Sequence, residues 1–241
     1  MGLVPALRSS APLVSDRVFA TLLEAVLAGR YEPGEKLPGQ RKLAADLGVT
    51  MSSLREALKR LEQMGLVEVR HGDAMRVRDW RTFGGLDVLA HLLFRTGSLD
   101  PAVLGDVLEA RSHMLRDLAG LAAERRDDAQ SRRLAELAEA FAQAPDATAA
   151  AGVDFAFMSE LAQAAGNLVF ILILNAVRGV YFEHLEQLPV TARPEGLAPA
   201  YARLAEAVAA RDAGAARAVA HALAEDQRAR VTGALGPERR P

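Results

Sequence analysis

Residues 37–77 read LPGQRKLAADLGVTMSSLREALKRLEQMGLVEVRHGDAMRV. Residues 40–47 form a short helical pattern closed by Gly48, and a second helix runs on to Met64. In that second helix Leu54, Ala57, Leu58 and Leu61 fall at the 3, 4, 7 spacing of one buried face. Thr50 or Ser52 stands where a hydroxyl caps the helix start, and Gly65 ends it. Residues 66–70 and 75–78 then alternate like half-buried strands, with His71-Gly72-Asp73-Ala74 as the turn between them. Helix, tight turn, helix and a two-stranded wing make a winged helix-turn-helix, whose second helix enters the major groove of DNA.

Outward from this stretch the chain changes character. Upstream, residues 1–14 read as a loose arm, and a helix is expected from about Asp16 to Ala28 on the apolar face of Val18, Leu22, Ala25 and Val26. Pro33-Gly34 marks a turn. Downstream, residues 79–85 form a short junction. Only helices follow, at 86–95, 101–126, 128–143, 149–165, 167–187, 196–211 and 213–231, divided by Gly97, Pro101, Pro145, Gly166, Pro189, Pro194 and Gly214. Helix 167–187 is apolar nearly all round at its start, as expected for the central helix of a bundle. The expected fold is therefore mostly α: a winged helix-turn-helix at 10–79, a junction at 80–85 and an all-helical effector domain at 86–232.

Composition narrows the classes. The chain has 241 residues and no cysteine, which excludes disulfides and thiolate metal sites and fits a reducing cytoplasm. The start, MGLVPALRSSAPLVSD, lacks the apolar run of a secretory signal. The longest apolar run, Leu168 to Leu174, is far short of the ~20 residues of a membrane span, so no membrane partner is expected. The net charge is −2, but residues 1–80 hold 12 Lys and Arg against 10 Asp and Glu, an excess on the side expected of a DNA-binding half. There is no phosphate-binding Gly loop, GxSxG, HExxH or cysteine nucleophile, so an enzyme is not expected.

Candidate DNA contacts follow from the docking geometry. Thr50, Met51, Ser52, Ser53 and Arg55 lie on the first turn of the reading helix, where side chains reach base edges and phosphates. Arg55 can grip guanine O6 and N7 with two hydrogen bonds. Arg41 can reach a backbone phosphate, and His71 and Gly72 at the wing tip can approach the minor groove. Read blandly, these are surface charges on a small helical domain. The wing placed directly after the third helix weighs against that reading.

In the helical half, Arg111 shares a helix with Leu104, Leu108, Leu115 and Leu118 at helical spacing. An Arg near an apolar face needs an anion or a hydrogen-bonded partner. That partner is either an internal carboxylate, Asp154 or Glu109, or the acidic group of a ligand. Asn175 and Tyr181 are further polar handles in an apolar setting. His91, His113 and His184 have no partner at metal or triad spacing.

Pro33, Gly34, Leu37, Pro38, Arg41, Leu43, Ala44, Leu47, Gly48, Val49, Arg55, Glu56, Ala57, Leu58, Leu61, Gly65, Leu66 and Val67 together resemble the pattern of the GntR family of bacterial transcriptional regulators. One departure is Met51, where that family usually has Arg. The helical half resembles the FadR subfamily at Leu108-Glu109-Ala110-Arg111, Leu121-Ala122-Ala123-Glu124-Arg125, Asp154-Phe155 and Ala165-Gly166-Asn167, and most of all its fatty-acid-sensing members. The resemblance implies a homodimer on a palindromic double-stranded DNA operator, responsive to a small molecule. Fatty acyl-CoA is the first candidate, with Arg111 and Tyr181 at cavity positions.

Ala222, Leu223, Asp226 and Arg230 stand where those members carry aromatic and small residues toward the ligand, so a different acyl compound or a small organic acid is also open. A bundle serving only for dimerisation is the remaining alternative. Many members hold a metal with one Asp and three His. The resemblance maps those positions onto Asp154, Met158, Tyr201 and a place near Leu223, with His221 two residues off, so no metal or other cofactor is expected. Asp154 and Tyr201 are instead expected to line the ligand cavity.

Overall fold

The computed structural model describes residues 13–69, 75–95, 98–183 and 194–235. The chain divides into two compact units, residues 1–96 and 97–241.

The first unit begins with α1 (Val14–Leu27), α2 (Gln40–Asp46) and α3 (Met51–Gln63). Thr50 is the cap of α3: its Oγ1 accepts from the Ser53 amide at 3.2 Å. The apolar stripe of α3 behaves as its spacing demands, with Leu54, Ala57, Leu58 and Leu61 buried against Leu22, Leu43 and Leu66. The wing follows as β1 (Val67–Glu68) antiparallel to β2 (Arg76–Val77), with Val67 opposite Val77. A third stretch joins it: Leu37 N donates to Met75 O and Val77 N to Glu35 O, so the chain after Pro33-Gly34 returns as an edge of the wing. The expected wing turn, with His71 and Gly72, lies outside the described residues.

The junction contains a helix of its own, α4 (Trp80–Phe83), capped by Asp79, whose carboxylate accepts from the Arg81 amide and the Thr82 hydroxyl. Gly65 makes room for it. Its φ is +72°, and a Cβ there would lie 2.5 Å from the Phe83 carbonyl oxygen. Next comes α5 (Leu86–Leu93), whose Val88 is buried in the core of this first unit. Its His91 ring meets Phe19 edge-on at 5.7 Å, and Arg95 just beyond it pairs with Glu24 at 3.3 Å. Residues 86–95, assigned from the sequence to the effector domain, thus pack with the winged unit, because Val88 and Leu92 complete an apolar face that α1 leaves open.

The second unit is all helical: α6 (Pro101–Arg125), α7 (Asp128–Ala142), α8 (Ala147–Ala164), α9 (Leu168–Glu183), α10 (Pro194–Ala209) and α11 (Ala213–Leu235). Asp100, Asp127 and Asp146 cap α6, α7 and α8 through backbone amides, with Pro101 in the first turn of α6. The long helices α6 and α11 pack together, as do α7 and α10. Alanines at the contacts, such as Ala119, Ala122, Ala216 and Ala220, let the backbones approach closely. Two arginines tie the ends of α6 and α10 reciprocally. Arg126 donates to the carbonyls of Val208 and Ala209, and Arg211 to those of Glu124 and Arg126. Each satisfies carbonyls that a helix C-terminus leaves unpaired.

One expectation for this unit is corrected. α9 is not the central helix. It packs on α8 with Phe170, Ile171, Leu174 and Tyr181 turned to the core, while Leu168, Val169, Leu172 and Phe182 are exposed. An apolar pattern on all sides does not by itself make a helix central, because it does not say which face the neighbouring helices take.

Candidate functional site

In the first unit the candidate surface is the start of α3 with α2 before it. Arg41, Thr50, Ser52 and Arg55 are exposed, and Ser53 is half-buried with its Oγ 3.1 Å from Thr50 Oγ1. Arg41, Lys42, Arg55 and Lys59 form no ion pair among the described residues and stand as free cations on this face. Arg60 differs: it bonds Asp16 at 2.7 Å and lies over the Phe19 ring at 3.8 Å, so its charge serves the fold. Met51 is half-buried and packs against the core beside Val49. The surface therefore offers hydroxyls and one guanidinium at a helix N-terminus, flanked by cations, which is a phosphate- and base-reading arrangement.

In the second unit five helices deliver polar groups into an apolar core. Asp154 of α8 is buried. It accepts a short hydrogen bond from the Tyr201 hydroxyl of α10, a longer one from Tyr181 of α9 at 3.5 Å, and faces Arg111 Nη2 of α6 at 3.6 Å. Gln227 of α11 closes the cluster: its Oε1 accepts from Arg111 Nη1 at 2.5 Å and its Nε2 donates to Tyr201 Oη at 3.2 Å. Because Arg111 can only donate, the Gln227 amide has one sensible orientation.

Tyr201 is fully buried, stacked on Phe141 at 4.0 Å. Burial first, and the adjacent Asp154 charge second, push its phenol well above 10.0, so it stays a donor. Arg111 Nη2 is buried and has no hydrogen-bond acceptor.

Four of the expected ligand residues, Arg111, Asp154, Tyr181 and Tyr201, are thus brought together. Asn175 is not: it is exposed on the outward face of α9. Six residues separate it from Tyr181, which turns it about 240° around the helix. Of the internal partners foreseen for Arg111, Asp154 is present, while Glu109 faces Arg228 at 4.0 Å. Gln227 was missed. The signal was there: it is a polar residue in register with the buried Ala220, Leu223, Ala224 and Val231 of α11.

The metal positions of the resemblance do not fit a metal here. Met158 and Leu223 offer no nitrogen or oxygen ligand, and the Tyr201 hydroxyl is committed to Asp154. His221 is exposed, with Nδ1 at 3.1 Å from Ser112 Oγ, which donates in turn to Glu225.

A DNA-reading winged unit joined to a helical unit with a polar core cluster defines a ligand-responsive transcriptional regulator. Residues 14–77 match the bacterial regulatory proteins of the gntR family, and residues 106–226 match the FCD domain. The chain is 39% identical over 226 residues to the HTH-type transcriptional regulator Mce2R of Mycobacterium tuberculosis, covering 93% of each. It is 32% identical over 160 residues to the fatty acid metabolism regulator protein of Edwardsiella ictaluri, covering 66% of each. Among solved structures it resembles Streptococcus agalactiae GntR, with a TM-score of 0.50 at 25% identity over 90% of this chain and 99% of that one.

The chain belongs to the GntR family, in its FCD-domain branch. These are regulatory rather than catalytic modules, so it is a regulator and not an enzyme. Among the described residues no helix is long and apolar enough to cross a membrane.

Proposed function

We propose that this regulator is a cytoplasmic homodimer of the FadR type, holding a palindromic operator and altering its grip when a fatty acyl ligand, of the acyl-CoA class, enters the second unit. Arg41, Thr50, Met51, Ser52, Ser53 and Arg55, with His71 and Gly72 of the wing, are the DNA contacts of this reading. Arg111, Asp154, Tyr181 and Tyr201 hold the polar end of the ligand.

The observation that carries the ligand reading is the Arg111 guanidinium. Nη2 is buried without a hydrogen-bond acceptor, beside a carboxylate that does not satisfy it. Such a donor is costly to leave unmade and is met by a carboxylate, thioester or phosphate oxygen. The likeness to a fatty acid metabolism regulator supports the acyl class.

A second reading, a small organic acid at the same Arg111, is favoured by the last helix. Arg230 is already paired with Asp226 at 3.0 Å, so its charge is not free for a CoA phosphate.

Calorimetric titration of the full chain with palmitoyl-CoA, and then with short dicarboxylic acids, separates the two. Binding of palmitoyl-CoA that weakens ten-fold or more in Arg111→Ala supports the first. Binding of the acids alone replaces it with the second. An Arg111→Ala variant that binds either ligand as wild type does would remove Arg111 from both.

A further inference from the structure

The polar cluster of the second unit is already balanced in charge. Among the described residues bonded into it there is one guanidinium, Arg111, and one carboxylate, Asp154. Tyr181, Tyr201 and Gln227 join them as neutral groups. Asp154 is buried and spends its two oxygens on the two phenols. One donor stays open, Nη2 of Arg111, which is buried 3.6 Å from Asp154 Oδ1. A ligand oxygen that answers this donor takes its place beside that carboxylate.

The distance decides what such an oxygen can carry. A hydrogen bond to Nη2 spans about 2.9 Å, so the ligand oxygen and Asp154 Oδ1 lie at most about 6.5 Å apart. At that range a second negative charge is repelled, and the cluster would hold two buried anions against one cation. A carbonyl oxygen accepts the same hydrogen bond and brings no net charge.

The surroundings provide for an apolar chain. The Phe155 ring meets those of Tyr181 and Phe182 at 5.7 and 5.2 Å, and the latter two meet each other at 5.3 Å. Phe182 is exposed, whereas the Tyr181 hydroxyl reaches Asp154. A wall of rings thus runs from the surface of α9 to the edge of the cluster.

We propose that Asp154 sets the ligand class of this site. It admits the uncharged carbonyl of a thioester, ester or amide borne on an apolar chain, and it turns a free carboxylate or phosphate away from Arg111. Any charged part of the ligand stays outside the cluster. This rests on Arg111 as the group that holds the ligand, and it favours the acyl reading over the small organic acid.

The test is calorimetry of the full chain at pH 7.5 with decanoate and with decanoyl-N-acetylcysteamine, an uncharged thioester of the same chain length. Wild type should bind the thioester at least ten-fold more tightly than the acid. Asp154→Asn keeps an oxygen for Tyr201 and removes the charge, which leaves Arg111 without a counter-ion. The order should then invert, with decanoate the tighter ligand. Decanoate should also raise the melting temperature of this variant while leaving that of wild type unchanged. A side chain that only supported the fold would weaken both ligands alike and could not exchange their order. Wild type that binds decanoate as tightly as the thioester would overturn the proposal, whether or not the variant folds. A folded variant that keeps the wild-type order would overturn the assignment to Asp154. Failure of both proteins to bind either compound would overturn the acyl reading at Arg111, and this inference with it.

Discussion

Tyr201 shows how a residue's surroundings, rather than its type, fix its role. It is a phenol with no water to solvate its anion and a carboxylate beside it, so the folded chain holds its proton more tightly than the unfolded chain does. Stability from this source is complete below pH 10 and is lost as pH climbs from 10 toward the raised folded value. Urea midpoints should therefore fall more steeply between pH 9 and 11 for wild type than for Tyr201→Phe. At neutral pH the same variant should lose about 1–3 kcal/mol, because Asp154 and Gln227 each lose a buried partner.

Thr50→Ala removes the α3 cap and should cost about 1 kcal/mol by urea unfolding. Arg55→Ala touches no internal contact and should leave stability alone. On the proposed docking it weakens operator binding by about 1–3 kcal/mol, measured by fluorescence anisotropy. Unchanged affinity would remove Arg55 from the reading face.

At this scale the sequence was informative where spacing is strict. Spacing narrows the cap of α3 to Thr50 or Ser52, and Arg111, Asp154, Tyr181 and Tyr201, all named from the sequence, meet in one cluster. Gln227 goes unread from the sequence and Asn175 falls outside the cluster for one reason. A polar residue's meaning depends on which way its helix is turned, and that is settled by neighbouring helices.

Among elements, the winged motif was legible because each part has its own punctuation: a hydroxyl cap, a glycine stop, a two-residue alternation. The third wing edge was not, since Glu35 and Leu37 pair with β2 through backbone atoms that leave no side-chain pattern. α4 was hidden because a four-residue helix is too short for periodicity to register. Its seat, however, was written in Gly65. A Cβ there meets both an unfavourable φ and the Phe83 carbonyl, so Gly65→Ala should destabilise the winged unit by about 1–3 kcal/mol and shift the near-ultraviolet signal of Trp80. A normal unfolding midpoint with an unchanged Trp80 signal would contradict the close approach of α4 to the end of the reading helix. α9 teaches the converse. Its apolar composition suggests a central place, but nothing local says which of its faces the neighbouring helices take.

For the whole molecule, the two units divide the work of a ligand-responsive regulator. One presents Thr50, Ser52 and Arg55 on a helix held by a tight apolar core, and the other holds a buried, hydrogen-bonded cluster at the meeting of five helices. In the proposed dimer a ligand can act on DNA only by preferring one arrangement over another, so its binding free energy must differ between free and operator-bound protein.

That difference is the coupling between the two units. The most direct measurement titrates palmitoyl-CoA into the full chain by calorimetry, alone and saturated with the best duplex selected from a random pool. The two affinities should lie at least five-fold apart, with DNA affinity shifted by the same factor when the experiment is run in reverse. Equal affinities with and without DNA, from a chain that binds both partners well, would contradict it.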